Sequence, residues 1–387
     1  MTLRVLALDR AVGLWGAQVV LLQLAQPLAE RGIEVTLATP PRSDFGDVWR
    51  AQGHPAITLQ TAPGVSPRTD GSLSLRALAA LSVDALRSTG QLARVARDFD
   101  LLHGNGHDVH LTVAVAGRLS RVPSLLHLHE ELPYRLGRAI RTSAVWIGDS
   151  SVAVSEAVRQ NSGRLTRRRI DVIPNGVRTD SPPPDPGATE GLRREFGVSE
   201  GDVLVAAVTR LDPVKRVQDL LAALHRLRDV PGWRAVIFGD TSSFPEYAAQ
   251  LRRSAGELGG RVLLAGRRED IPAVLRACDL LVHPGMVEGM PLGIMEAQAA
   301  GVPVVAYRVA GIPEVVLDGV TGLLAEPGDV DELARHMKRL LTTPALRSEF
   351  GRAGHNRALM HFSLETQADS YAAVARSLTA RRSRPRT

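Results

Sequence analysis

The feature that most constrains this chain is a strand-and-helix alternation that runs twice. Short runs rich in Val, Leu, Ile and Ala occur at Leu3–Asp9, Glu34–Thr39, Asp100–Gly104, Ser124–His129, Ser151–Ser155 and Asp171–Pro174, with amphipathic stretches between several of them. Runs of this length, bounded by turn residues, read as buried strands. Between Arg178 and Gly191 four prolines and two glycines interrupt the pattern, the composition of a linker. The alternation restarts at Asp202–Thr209, Arg234–Gly239, Arg261–Gly266, Asp279–Pro284, Val302–Tyr307 and Gly322–Pro327. Two such blocks predict two α/β domains with mainly parallel sheets. Each sheet should bind ligands beyond the carboxyl ends of its strands, and two domains facing one another would make a cleft.

A length of 387 residues accommodates two domains, each with its own core. The expected boundaries are 1–178 for the N-terminal domain, 179–200 for the linker and 201–362 for the C-terminal domain. A helical stretch over 363–380 and a basic tail over 381–387 follow. No apolar run has the length of a membrane span. The opening Met1–Asp9 places an acid directly after a short apolar run, so it reads as a first strand rather than a secretory leader. The single cysteine, Cys278, excludes an internal disulfide and a cysteine-based zinc site. The expected location is the cytoplasm. Charge is uneven, with 21 basic and 15 acidic side chains in 1–178 against 21 and 26 in 179–375. Aromatic residues make up 4% of the chain, which leaves few rings for bases to stack on and argues against nucleic acid as a partner.

The stretch His283–Ala306, HPGMVEGMPLGIMEAQAAGVPVVA, keeps two acids, Glu288 and Glu296, in an otherwise apolar run. It reads as a strand end, a loop over Gly285–Gly289 and a helix with Pro291 in its first turn. Gly289, Met290, Pro291 and Leu292 then sit at a helix N-terminus, whose backbone N–H groups attract anions. Glu288 falls in the loop and Glu296 inside the helix. By themselves the two glutamates fit a dipole partner and a solvent-facing acid equally well. In Val208–Arg216 a strand ends at Thr209 and is followed by Arg210 and Lys215. Two cations there are placed to meet a phosphate, or to form an ordinary surface loop. Asn175–Gly176 marks a turn. Ser124–Glu131 sets His127 and His129 on one side of a strand, but no third ligand lies nearby and no metal site is expected. The loop Gly13–Gln18 lacks the spacing of a dinucleotide fingerprint, and no P-loop occurs. Asp329 with Glu332 three residues on reads as a helix cap rather than a metal motif.

In their order these pieces resemble the family 4 retaining glycosyltransferases, over nearly the whole chain and most closely over 145–325. The resemblance rests on GAQVVLLQLAQPLAERGIEVTL, VPSLLHLHE, VAVSEAV, VIPNGV, VTRLDPVKR, the His283–Ala306 stretch and AGIPEVVLDGVTGLL. It implies the GT-B fold, two Rossmann-like domains across a cleft, with the last helix packed back on the N-terminal domain. It further implies transfer of a sugar from a nucleotide-diphosphate sugar to a glycan, lipid or small-molecule acceptor, with no cofactor and no metal. The positions matching Arg210 and Lys215 would bind the donor diphosphate, Glu296 the ribose and Glu288 the side of the transferred sugar. Backbone groups of Gly289–Leu292 would hold sugar hydroxyls and phosphate. His129 would serve the sugar or acceptor side, with His127 as the second choice. Gly16 and Asn175 would belong to the substrate site. Departures are Trp15-Gly16 for the usual Gly-Gly, His129-Glu130 for His-Asp, and the absence of Gly-x-Gly in FGDTSSFPEY. A sugar phosphorylase, a nucleotide-sugar epimerase or a non-catalytic binding relative are the alternatives on the same fold. Arg135, Arg138 and Arg141, three apart on an expected helix, and the amphipathic stretch 76–99 could dock on anionic lipid at the inner face of the membrane. A solvated helix face is the competing reading.

Overall fold

In the first half of the chain the six predicted strands form one parallel sheet together with a seventh, Ala56–Thr58, that was not expected. Its members are β1 (Leu3–Leu8), β2 (Ile33–Thr39), β3 (Ala56–Thr58), β4 (Leu101–Gly104), β5 (Ser124–Leu128), β6 (Ser150–Ala153) and β7 (Ile170–Val172). Their order is β3-β2-β1-β4-β5-β6-β7. The computed structural model describes residues 2–11, 13–60, 86–180, 185–240 and 242–382. The first part of the amphipathic stretch 76–99 and the end of the basic tail lie outside the described residues. In the second half, β8 (Val203–Val208), β9 (Trp233–Phe238), β10 (Val262–Gly266), β11 (Leu280–His283), β12 (Val304–Tyr307) and β13 (Gly322–Ala325) pair in the order β10-β9-β8-β11-β12-β13. All pairings are parallel. This is the doubly wound α/β arrangement that the alternation predicted.

The chain divides into two compact units, 1–175 with 364–387, and 176–363. In each sheet the strand order reverses once, at β1/β4 and at β8/β11. Crossovers leave in opposite directions at such a point, so a crevice opens above the carboxyl ends of those strands. β8 is apolar throughout, and β1, β4 and β11 are mostly so, with Arg4, His103 and His283 as the exceptions, as suits strands covered on two faces.

The last helix, Leu364–Arg382, belongs to the first unit, where it packs on helix Gly16–Glu30. Arg31, just past that helix, is 2.7 Å from both Glu365 and Asp369. Tyr371 is buried and its hydroxyl lies 2.8 Å from His103 Nδ1 on β4. The stretch read as a linker is partly built into the second unit. Residues Pro186–Glu195 form a helix started by proline and capped by Asp185. Its Arg193 donates to Ala277 O, Asp279 and Asp202 O at 2.6–2.9 Å. Pro186 stands in the first turn of this helix, where proline is well tolerated.

Candidate active site

In the second unit β8 and β11 carry the predicted residues to the switch point. After β8 the chain turns on Asp212, whose Oδ1 accepts from Val214 N at 3.0 Å. Its Oδ2 is 3.4 Å from Arg210 Nη2. A single 3-10 turn, Pro213–Lys215, then presents Lys215. Arg216 follows with φ 52°, a left-handed backbone that costs a non-glycine residue about 1–2 kcal/mol. Asp219 fastens this kink, 3.0 Å from Arg216 Nε and 2.9 Å from the Tyr307 hydroxyl.

Across from it β11 ends at His283, and Glu288 folds back over the loop. Glu288 Oε1 accepts from Lys215 Nζ at 2.6 Å and from His283 Nε2 at 2.7 Å. All three side chains are largely buried. Burial pushes the Glu288 carboxyl up, but the Lys215 charge and then His283 outweigh it and hold the group down to about 2. Lys215 also donates to Val287 O at 3.1 Å. An ammonium has three N–H donors, so one remains beyond these two bonds. Gly285 is required here, because a Cβ on it would come within 2.5 Å of Glu288 Oε1 and 2.8 Å of His283 Nε2. The sequence reading singled out Lys215 and Glu288 but not His283, although it stands first in the quoted stretch.

Helix Leu292–Ala299 begins one residue later than expected. Pro291 is its N-cap, with φ −74° and ψ 118°, not a first-turn residue. A proline cap offers no side chain to the first-turn N–H groups, and none caps them. Gly289, Met290 and Pro291 are buried while Leu292 and Glu296 are half-buried. The helix ends as a Schellman motif. Gly301, at φ 76°, donates to Gln298 O at 2.9 Å, and Val302 N to Ala297 O at 2.8 Å. This fixes where the helix stops. Asp329 caps helix Val330–Thr342 by accepting from Glu332 N at 2.8 Å.

The first unit has its own polar network at the β1/β4 switch point. Asp9, directly after β1, is buried and accepts from Gln18 Nε2, Asn105 Nδ2 and Ala11 N at 2.7–2.8 Å. Burial lifts its carboxyl to about 6 against these three hydrogen bonds. Asn105 Nδ2 also donates to Ala17 O at 3.2 Å. That leaves Asn105 Oδ1 to accept from His129 Nε2 at 3.1 Å. The proton of His129 is therefore on Nε2, and Nδ1 is a lone-pair acceptor. Burial drops the His129 pKa to about 3, so the ring is neutral at pH 7. Of the two candidate histidines, His127 is buried to 2% and stacks 4.0 Å from His129. Only His129, half-buried past the end of β5, is within reach of a ligand. Gly16 is exposed at the start of helix Gly16–Glu30, and Asn175 is buried. Glu130 lies 2.6 Å from His107 Nδ1, and its carbonyl accepts from Arg141 Nη2 at 2.8 Å. Asp9, Gln18 and Asn105 were not predicted. Among the described residues no group of three His, Cys, Asp or Glu is placed to hold a metal ion.

The profile of the family described as Glycosyl transferases group 1 matches residues 189–357, and that of Glycosyltransferase Family 4 matches residues 15–181. The alpha-maltose-1-phosphate synthase of Mycolicibacterium smegmatis is 30% identical over 311 residues, 72% of this chain and 79% of that protein. The chain belongs to the family 4 glycosyltransferases. Another relative of this glycosyltransferase is the GDP-mannose-dependent alpha-(1-6)-phosphatidylinositol monomannoside mannosyltransferase of the same organism. It is 32% identical over 279 residues, 68% of this chain and 71% of that protein. Among solved structures, Anabaena HepE in complex with UDP and glucose superposes with a TM-score of 0.83 at 25% identity, over 97% of this chain and 100% of that one. The fold is accordingly GT-B-like. No helix among the described residues is long and apolar enough to cross a membrane.

Proposed function

We propose that this glycosyltransferase moves a sugar from a nucleoside diphosphate sugar to its acceptor with retention of configuration and without a metal ion. The observation that carries the reading is the buried Lys215–Glu288–His283 cluster at the β8/β11 switch point. Breaking the bond between the sugar C1 and the phosphate oxygen leaves negative charge on the departing diphosphate. Arg210, the remaining donor of Lys215 and the uncapped N-terminus of helix Leu292–Ala299 are the groups that would stabilise it. Glu288 would meet the transferred sugar and Glu296 the ribose. Backbone groups of Gly289–Leu292 would hold sugar hydroxyls and phosphate. A lysine whose charge is already held by a buried carboxylate needs little reorganisation when phosphate arrives, which is the condition for strong electrostatic catalysis.

No carboxylate stands out as a nucleophile. The acceptor oxygen would attack C1 from the face the diphosphate leaves, and its proton would pass to the departing phosphate oxygen. The products are then the glycosylated acceptor and a nucleoside diphosphate. The first unit would hold the acceptor, with the His129 Nδ1 lone pair facing a hydroxyl and Gly16 and Asn175 at its margins. The partners in this reading are the nucleotide-sugar donor, a glycan, lipid-linked or small-molecule acceptor, and an anionic membrane at the inner face of the cell envelope.

Nucleoside diphosphate release, measured after a thermal-shift screen of UDP-, GDP- and ADP-sugars, tests the reading. Donor binding raises the melting temperature by mass action. Lys215→Ala is expected to lose about 10²–10³ in turnover, and Glu296→Ala to weaken donor binding. If both variants keep turnover within about threefold of wild type, the donor site lies elsewhere.

A further inference from the structure

Helix Arg135–Ile147 buries one of its three arginines and exposes several large apolar side chains. The spacing of Arg135, Arg138 and Arg141 left two expectations for them, contact with anionic lipid or a solvated face. Instead Arg141 points inward, 2% exposed, and donates to the carbonyl of Glu130, the residue after His129. Ala144 and Val145 share that inner face. The outer face carries Leu136 at 68% exposure, Ile140 at 41% and Trp146 at 51%, with Tyr134 at 57% just before the helix. Leu136 and Ile140 are one turn apart, so they form one stripe. A helix on the surface of a monomer ordinarily turns its charges outward. Here it shows water four large apolar side chains.

The charge around this stripe is basic. Arg135 flanks it and is exposed. At the far end Arg169 lies over the Trp146 ring, 4.5 Å from its centroid. That contact brings the exposed turn Arg167–Arg169 to the same end of the helix. Leucines seek hydrocarbon, Tyr and Trp settle at the level of lipid headgroups, and arginines gain from anionic phosphate. A protein partner would need a matching apolar groove with an acidic rim. An anionic bilayer offers both chemistries without any further shape.

We propose that this outer face is a docking surface for anionic lipid. The helix then links two tasks, because its inner face holds the backbone beside His129 through Arg141 while its outer face rests on the membrane. The proposal extends the acceptor reading above toward lipid-linked acceptors, and rests on that reading only for this extension.

The test is co-sedimentation of the full chain with vesicles of phosphatidylglycerol and phosphatidylcholine in equal parts, and of phosphatidylcholine alone, at low and high salt. Binding is expected to the anionic vesicles at low salt, weakened by salt and by removal of the anionic lipid. Leu136→Ser/Ile140→Ser should cut the partition coefficient by about tenfold or more, since each side chain withdraws an apolar insertion. Both positions are exposed, so the variant should melt with the wild type, which the same protein stock can verify. Arg168→Glu should lower binding at low salt only. The proposal is overturned if the wild type ignores anionic vesicles at low salt, or if the double serine variant binds as well as wild type. It is equally overturned if the face proves to join two copies of the chain, seen as a dimer that the serine variant dissolves while vesicle binding is absent. Vesicle binding needs no turnover. A chain that binds vesicles but releases no nucleoside diphosphate would sink the transferase reading and leave the surface standing.

Discussion

At the residue scale the donor side turns on one carboxylate. Glu288 is buried, yet held down to about 2 by Lys215 and His283. Its ordinary value is 4.5, so this contribution to stability is complete above that pH and is lost as the pH falls toward 2. Gly285→Ala tests the arrangement without removing any charge. The new methyl would lie within 2.5 Å of Oε1 and 2.8 Å of the His283 ring, forcing the carboxylate off its partners. A buried charge that loses its hydrogen bonds costs about 1–3 kcal/mol. The variant is expected to melt earlier at pH 7, to lose the donor-induced thermal shift and to show a flatter stability profile below pH 4.5. Unchanged melting and an unchanged shift would mean that the cluster is looser than its geometry. How much of this was legible beforehand differs residue by residue. Lys215 and Glu288 were readable because each sits in a local motif with a known spacing. Their 2.6 Å contact was not, since it joins positions 73 residues apart. Asp9 was visible only as an acid ending an apolar run. Its bond to Asn105 spans 96 residues, and no local pattern encodes such a pair.

At the element scale the strands were the most legible part, because a period of apolar runs needs no long-range knowledge. Helix Leu292–Ala299 was readable to within one residue at its start. Helix Pro186–Glu195 was hidden by the prolines before it, which mark a helix start as readily as a linker. Helix Arg135–Ile147 was placed, but of its three arginines only Arg135 is exposed, while Arg138 is half-buried and Arg141 buried. The inward arginine donates from Nη2 to the Glu130 carbonyl, a partner that the sequence could not reveal. Glycines decide one further packing. A Cβ on Gly351, within helix Pro344–His361, would lie 2.1 Å from the carbonyl of Gly301. That carbonyl belongs to the Schellman turn and cannot move without undoing it. Gly351→Ala should therefore destabilise the second unit by about 1–3 kcal/mol, although alanine favours helices. Gly191→Ala, also helical but with nothing within 4 Å of its Cβ, should stabilise by up to about 1 kcal/mol. Chemical denaturation of the two variants should give opposite signs. Equal signs would contradict the close approach.

At the scale of the whole molecule the two units should answer acid differently. On or beside β4 and β5 the first unit holds four histidines, three buried and His129 half-buried. Burial lowers His103 to about 4 and His129 to about 3, and depresses His110 and His127 well below their usual range. An unfolded histidine titrates near 6.5. A group whose pKa falls on folding stabilises fully above the unfolded value, and loses that contribution as the pH drops. The loss is about 1.4 kcal/mol per pH unit for each histidine once the pH is below 6.5. Asp9 works the other way, since its raised value of about 6 makes the folded state the one that binds the proton near pH 5. Glu131, raised by burial, and His107, which burial lowers but Glu130 raises more, act in the same sense as Asp9, and these three groups reduce but do not cancel the effect of the four histidines. Calorimetry at pH 7 and pH 5 should show the melting of the first unit falling and that of the second nearly unchanged. His103→Asn should narrow the gap.

Helix Leu364–Arg382 has a consequence for synthesis. The ribosome delivers the first sheet early, but the buried Tyr371 and the partners of Arg31 come last. The second unit, 176–363, is continuous in sequence and can close while the nascent chain is still growing. The first unit must wait with the groove on helix Gly16–Glu30 open until the final stretch emerges, so the part of the protein made first is the part completed last.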